Sequence, residues 1–521
     1  MRDSFFLSKI FRNIICFVFF TAIITPISGQ FIDAYINDFK VNDDITTRTQ
    51  SSAKIGVDSS GNFVVAWNDR RSSIANNSSQ IYCQIFDKDG NGMGNNFRIG
   101  HDTSGIFGLS VLKDGKFICF WVSIFNGGFD AELYYQRFDK IGNELSKPIR
   151  VVDSTFSSLA LISGDIESDS NGNFVLTWNR IPYAATYNLV FCQRYDSAGN
   201  RLGGSTVVNE IQNGAGNQRI AINNDMSFVI TWQDDRRYPG NKFDIFFQRF
   251  NTSGIKIGNN IRVNDDNDST KDQNNPTISS NYNGTFVISW TDYRSLFSTG
   301  DIYFQCYDSN AATLGTNTKA NINTGNIGIS VTAMRFDKKF IIAWTDDSYA
   351  GRFQFYGRRF NEIGNPIGSP YMFPVSSPAG SIQSGTDIMI LEDRVYSVWE
   401  NTISSNGDIF CNVRGFQNPD TTIISVINNQ NIITEYKLFA PFPNPFNPIT
   451  KIRYKLSEKT YTTISIYDIT GKFIYKLTGK VQSAGNYEIK FDGTKLSTGI
   501  YFIKLNTETG YKEIQKLVLL K

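Results

Sequence analysis

The chain has 521 residues, more than one ordinary domain accommodates, so a large core or several cores are expected. Aromatic residues make up 14% and prolines number only 14, which points to a folded chain. The 51 basic and 49 acidic residues leave a net charge of +2 with no basic block, which argues against nucleic acid or an anionic membrane surface as a partner.

The first segment, 1–29, reads as a secretory signal peptide. Arg2, Lys9 and Arg12 precede the apolar run 14–24, and the small residues Ser28 and Gly29 place cleavage before Gln30. Pro26 and Ser-Gly after so short an apolar core weigh against a retained anchor. Cys16 lacks the small residues that a lipoprotein site needs before it. No later stretch approaches the roughly 18 continuous apolar residues of a membrane span, so no transmembrane anchor is expected in the mature chain. The mature cysteines Cys83, Cys119, Cys192, Cys306 and Cys411 are odd in number and scattered over strand positions. They read as small buried hydrophobes, and none has the C-x-x-C spacing of a metal site.

Between 30 and 418 every tryptophan closes an apolar run: FVVAW (Trp67), FICFW (Trp121), FVLTW (Trp178), FVITW (Trp232), FVISW (Trp290), FIIAW (Trp344) and VYSVW (Trp399). Successive spacings of 54, 57, 54, 58, 54 and 55 residues mark a repeat architecture. A second aromatic phrase follows each tryptophan, as in IYCQIFDKDG from Ile81 and IFFQRFNTSG from Ile245, and Gly-closed turns such as DSSGN from Asp58 separate the runs. About four strands per repeat is the content of a propeller blade. In FVVAW both alternating sets are apolar, so both faces of that strand are expected to be covered, as radial stacking requires and a two-sheet sandwich does not. FKVNDD at Phe39 repeats the phrase IRVNDD at Ile261 although no repeat precedes it, and the seventh repeat lacks an outer strand. The N-terminal strand, about 35–42, is therefore expected to complete the last blade and close a seven-bladed β-propeller.

In such a blade the loops after the tryptophan strand share one face with the links between blades, and the Gly-closed turns share the other. Candidate ligand contacts on the varied loop face are the recurrent charges after tryptophan: Asp69 and Arg70, Asp235 and Arg236, Asp292 and Arg294. Their repetition favours ion pairs joining loops, because an active site normally breaks such symmetry. Secreted sialidase-type glycosidases also use propellers, but DSNGNF resembles their Asp-box only loosely, and no paired-carboxylate constellation stands out. His101 lies in a loop phrase without a nucleophile motif, and NDDNDSTKD lacks the spacing and terminal Glu of an EF-hand. No catalytic residue, metal ligand or cofactor motif is identified.

After a polar, Asn-rich connector (419–437), the segment 438–521 carries the alternating runs IRYKL, TTISIYDI, FIYKL, YEIKF and IYFIKL between Gly turns, the pattern of a small Ig-like antiparallel β-sandwich. Its entry Pro443-Asn444-Pro445-Phe446-Asn447-Pro448, the turn Tyr467-Asp468-Ile469-Thr470-Gly471, the phrase Leu496-Ser497-Thr498-Gly499-Ile500-Tyr501 and the ending Lys516 to Lys521 resemble the type A C-terminal sorting domain of the type IX secretion system. That resemblance implies passage through the periplasm, recognition by outer-membrane secretion machinery and delivery to the surface or medium of a Gram-negative bacterium. It also implies removal of the tail, with the product released or attached to surface lipopolysaccharide. The whole chain thus reads as an all-β secreted or cell-surface protein whose propeller serves binding or adhesion, with a glycan or protein ligand. The alternatives are a sialidase-like carbohydrate-active enzyme and a structural surface-layer protein.

Overall fold

The structure is a computed structural model describing residues 34–521, except 72–78, 101–103, 126–129, 152–155, 158–162, 181–186, 211–213, 238–241, 267–269, 282, 296–298, 323–324, 348–352, 375–381, 404–405, 417–435, 440, 442, 457–459, 483–484 and 509. The signal sequence, His101 and nearly all of the connector lie outside the described residues. The chain divides into two compact units, Met1–Asn418 and Pro419–Lys521.

Every named element of the first unit is a strand, and the strands form seven antiparallel sheets in chain order. Blade one runs from an inner strand (Gln50–Val57) through the tryptophan strand (Phe63–Asp69) and a third strand (Gln80–Phe86) to an outer strand (Phe97–Ile99). In the last blade the strands Ile382–Leu391, Arg394–Ile403 and Asn406–Gly415 are followed in space by Ala34–Lys40 from the other end of the unit. Ala34 pairs with Arg414 and Lys40 with Phe410, so the first strand supplies the outer edge that the seventh repeat lacks. Asp38 holds this seam from the side: it accepts from Asn412 at 2.8 Å and lies 3.5 Å from the buried guanidinium of Arg414.

Both faces of each tryptophan strand are covered, and seven separate cores lie between neighbouring blades. Val65 and Trp67 pack with Val398 and Cys411 of blade seven, whereas Val64 and Ala66, on the opposite face, pack with Cys119 and Trp121 of blade two. The same alternation recurs around the ring, each tryptophan turned toward the preceding blade. All seven indoles are buried, and most stack on the aromatic residue directly across the sheet: Trp67 on Tyr82 at 6.3 Å, Trp232 on Phe246 at 6.4 Å, Trp399 on Phe410 at 6.1 Å. The second repeated phrase is therefore the partner of the first.

The Gly-closed turns hold themselves. Asp58 Oδ1 accepts the backbone N–H groups of Ser60 and Asn62, its Oδ2 accepts from the Asn62 side chain, and Gly61 takes a φ of 88° that a side chain would resist. The same arrangement recurs at Asp87, Asp139, Asp169 and Asp196.

The second unit is a two-sheet sandwich. One sheet orders Lys437–Leu438, Ile449–Leu456 and Gly485–Asp492; the other orders Phe473–Gln482, Thr460–Asp468, Gly499–Thr507 and Lys512–Leu519. Ile452, Tyr454, Ile464, Ile466, Ile503, Leu505 and Leu517 meet in its core, and the lysine-rich alternation puts Lys451, Arg453, Lys504 and Lys516 on the wetter faces.

Candidate functional site

The charges that follow tryptophan form a repeated latch on the loop face. In blade one, Asp69 is fully buried and accepts from Trp67 Nε1 at 2.9 Å, from the Arg71 backbone at 2.8 Å and from the Arg71 guanidinium at 2.8 Å. The same guanidinium reaches Asp43, in the link from blade seven, at 2.5 Å and lies over Tyr82 at 4.1 Å. In blade four, Asp234 and Arg236 repeat the arrangement with Trp232 and Phe246, and Arg236 also donates to Asn260. In blade five, Asp292 and Arg294 repeat it with Trp290 and Tyr303, and Arg294 reaches Asp265 in the incoming link at 2.7 Å. Burial opposes the charge on Arg71 and Arg294, but the hydrogen bonds and charges of their aspartates outweigh it and hold both above the ordinary arginine value.

The equivalent positions are therefore tryptophan, a carboxylate two residues on and an arginine two further. Asp69, Arg236, Asp292 and Arg294 fall in this register. Arg70 and Asp235 are each one place out of it: the Arg70 backbone donates to Thr49, and Asp235 accepts from the Gly214 backbone at 2.7 Å. The latch thus spends its charges within the blade and, in blades one and five, on the link that enters it. Only Asp43 and Asp265, about half exposed, turn outward from it.

A second cluster, on the inner strands, carries no repeated phrase. The inner-strand residues paired with the position before each tryptophan form one level around the axis: Lys54, Gly108, Asp165, Arg219, Thr277, Val331 and Asp387. Four are charged, and blade two admits no side chain there, since a Cβ on Gly108 would stand 2.5 Å from Ile166 Cγ2. Glu167 lies two residues further along its strand, toward the Gly-closed turns. Asp165 of blade three interacts electrostatically with Lys54 and Asp387 of blades one and seven, so these charges face one another across the ring.

Two of the carboxylates stitch inner strands together. Asp165 accepts the N–H groups of Ile166 and, in the next blade, Ile220; Asp387 accepts those of Ile388 and, in the next blade, Ile55. Burial raises both above the ordinary carboxylate value, countered by Arg219 and Lys54 at Asp165 and chiefly by Lys54 at Asp387. Glu167 is pushed up to about 8 by burial and by the charges of Asp165 and Asp387.

Because the folded value for Glu167 exceeds that of the unfolded chain, the folded state holds one more proton between about pH 4.5 and 8, and stability falls as pH rises through that window. Glu167→Gln should flatten this slope, which amounts to at most about 1.4 kcal/mol per pH unit. Urea midpoints of the two proteins measured from pH 5 to 9 provide the check; parallel curves would exclude the effect.

In the second unit, the motif residues lie where the two ends of the segment meet. Asn444 donates to Lys516 O at 2.8 Å and accepts from Val518 N at 2.8 Å, while the backbone of Phe446 bonds with Val518 and Leu520 on either side. The Pro443 carbonyl accepts from Thr450, and the peptide before Pro445 is cis. Asp468 closes its turn onto Thr470 and Lys472 with Gly471 at a φ of 82°. Tyr501 donates to Ser497 O just before Gly499, and Lys521 Nζ donates to Thr494 O.

Residues 440–520 match the secretion system C-terminal sorting domain. The tail is a sorting domain. Its presence marks the protein for export to the cell surface or medium and makes the secretion machinery its partner. Among curated proteins none matches the chain. Solved structures similar to it include a protein of unknown function from Dyadobacter fermentans, 10% identical, covering 74% of this chain and 99% of that one with a TM-score of 0.43. The β-propeller domain of the Trilobed protease from Pyrococcus furiosus is 9% identical, covering 74% of this chain and 98% of that one with a TM-score of 0.42. An alpha-L-arabinofuranosidase from Fusarium graminearum is 9% identical, covering 60% and 93% with a TM-score of 0.42. No helix among the described residues is long and apolar enough to cross a membrane.

The axial charges were missed by sequence reasoning because no phrase repeats around them. The usable signal was their irregularity: GDIES (Gly164–Ser168), Lys54, Arg219 and Asp387 put charge into inner strands where blades two, five and six carry Gly, Thr and Val.

Proposed function

We propose that the exported propeller is a binding protein that takes a polar ligand, a glycan foremost, at the axis of the ring. The observation that carries this reading is the break in symmetry. Tryptophan cores and latches repeat from blade to blade, whereas the axial level changes around the ring, with charges at Lys54, Asp165, Arg219 and Asp387 and Glu167 beside them, but Gly, Thr and Val in blades two, five and six. In this reading the repeated aspartates and arginines on the loop face shape the rim and keep the axial groups in place.

The second reading, a carbohydrate-active enzyme, has one observation in its favour. A carboxyl group whose pKa is held near 8, as at Glu167, stays protonated at neutral pH, as a general acid must. Against it, Asp165 and Asp387 each direct both carboxylate oxygens at backbone N–H groups, which fits stitching better than nucleophilic attack.

Glycan-array binding and turnover of chromogenic glycosides by the secreted protein separate the two. Binding without turnover, weakened tenfold or more by Lys54→Met, is the expected result, the loss of one half-buried charged contact corresponding to about 1.4 kcal/mol or more. Turnover abolished by Glu167→Gln would replace the binding reading with the enzymatic one.

A further inference from the structure

Cysteine recurs at one place in the third strand of a blade. Cys83, Cys192 and Cys411 lie across from Ala66, Thr177 and Val398, the residues before Trp67, Trp178 and Trp399, and so face the following blade. The residue that answers them from that blade stands two places before its tryptophan. Cys192 meets the core that contains Ile230, and Cys411 the core that contains Val65; in both, the thiol is a small apolar filler among larger side chains. Between blades one and two the answering residue is Cys119. Both are buried free thiols in one core, on facing strands of adjacent blades, and their side chains interact.

We propose that Cys83 and Cys119 are joined by a disulfide in the exported protein, clasping blade one to blade two. The sorting domain sends the chain out of the reducing cytoplasm, so the bond forms in a compartment where disulfides persist. One cysteine thiolate attacks the disulfide of a periplasmic thiol oxidant to give a mixed disulfide. The second thiolate then displaces the oxidant, which leaves as a dithiol carrying the two electrons and two protons. Burial and the neighbouring Cys83 raise the Cys119 thiol well above its ordinary value, which keeps it protonated in the closed ring. Oxidation therefore precedes the closing of the two blades, while the thiols are still wet.

The test uses the full chain collected from secreting cells, denatured and alkylated without reductant, then digested. Three of the five mature cysteines should react, with Cys83 and Cys119 recovered as one linked peptide that separates on reduction. Alkylation of all five without reductant, or a bridge through Cys192, Cys306 or Cys411, would overturn the proposal. Cys83→Ala supplies the second arm: the four remaining cysteines should all alkylate, whereas Cys119 remaining protected would show that its partner had been misassigned. Cys192→Ala should leave the linked peptide unchanged, and its loss there would count equally against the pair.

Discussion

Asp234→Ala should lower the unfolding free energy by about 3–5 kcal/mol, the cost of breaking a buried ion pair from one side. The side chain of Asp234 is completely buried and that of its partner Arg236 is only 8% exposed, so water cannot take over the lost contacts. The substitution strands three donors at once: the Trp232 indole N–H, the Arg236 backbone N–H and the guanidinium. A urea midpoint is the measurement. Asp89→Ala is the control, because Lys88 and Asp89 form an ion pair with both side chains more than half exposed, where the change should stay within about 0.5 kcal/mol. The double variant Asp234→Ala/Arg236→Met should recover part of the loss, since it leaves no uncompensated charge. Equal shifts for Asp234→Ala and Asp89→Ala would mean that the latch holds nothing.

Removing residues 438–521 should abolish delivery to the cell surface and leave the propeller inside the outer membrane. Protease accessibility on intact cells, compared with periplasmic fractions, reads this directly; undiminished surface protein would show that another segment carries the address. A subtler variant reaches the same point through stability. Phe446 is only 2% exposed, packs beside Phe491 at 6.0 Å and bonds through its backbone to the last strand. Phe446→Ala should cost about 3–5 kcal/mol, much of what a domain of this size possesses, so surface delivery should fall although every other motif residue remains.

Most of the propeller was legible because its packing rule is written once per blade. A tryptophan that always faces the preceding blade needs the same apolar neighbours each time, and its aromatic cross-strand partner recurs with it. The closing strand was legible for a similar reason: Phe39-Lys40-Val41-Asn42 repeats an outer-strand phrase in a place where no repeat precedes it. Its observed span, Ala34–Lys40, differs from the expected one by a residue or two at each end.

The latch register was harder to read. In Trp67-Asn68-Asp69-Arg70-Arg71 and Trp232-Gln233-Asp234-Asp235-Arg236, adjacent like charges give two equally good alignments. Only the strand geometry, which turns alternate residues to opposite faces, selects Arg71 and Asp234. The axial charges were beyond periodicity altogether, since Asp165, Glu167 and Asp387 gain their meaning from residues of other blades that the chain reaches only after a full repeat or more.

Closure by the first strand has a consequence for how the chain reaches its final form. Asn42 accepts from Ile409 N at 2.8 Å across 367 positions, and its amide donates to Asp408 across 366. The earliest segment of the ring to be synthesised must wait for the latest, and closing so long a loop carries a large entropic cost. A chain that stops short of Asn406–Gly415 leaves the Ala34–Lys40 strand without its partner and the core around Trp67 without its blade-seven wall. Completion of the ring therefore doubles as a test of length, and a prematurely ended copy exposes apolar surface and an unpaired edge to aggregation and proteolysis.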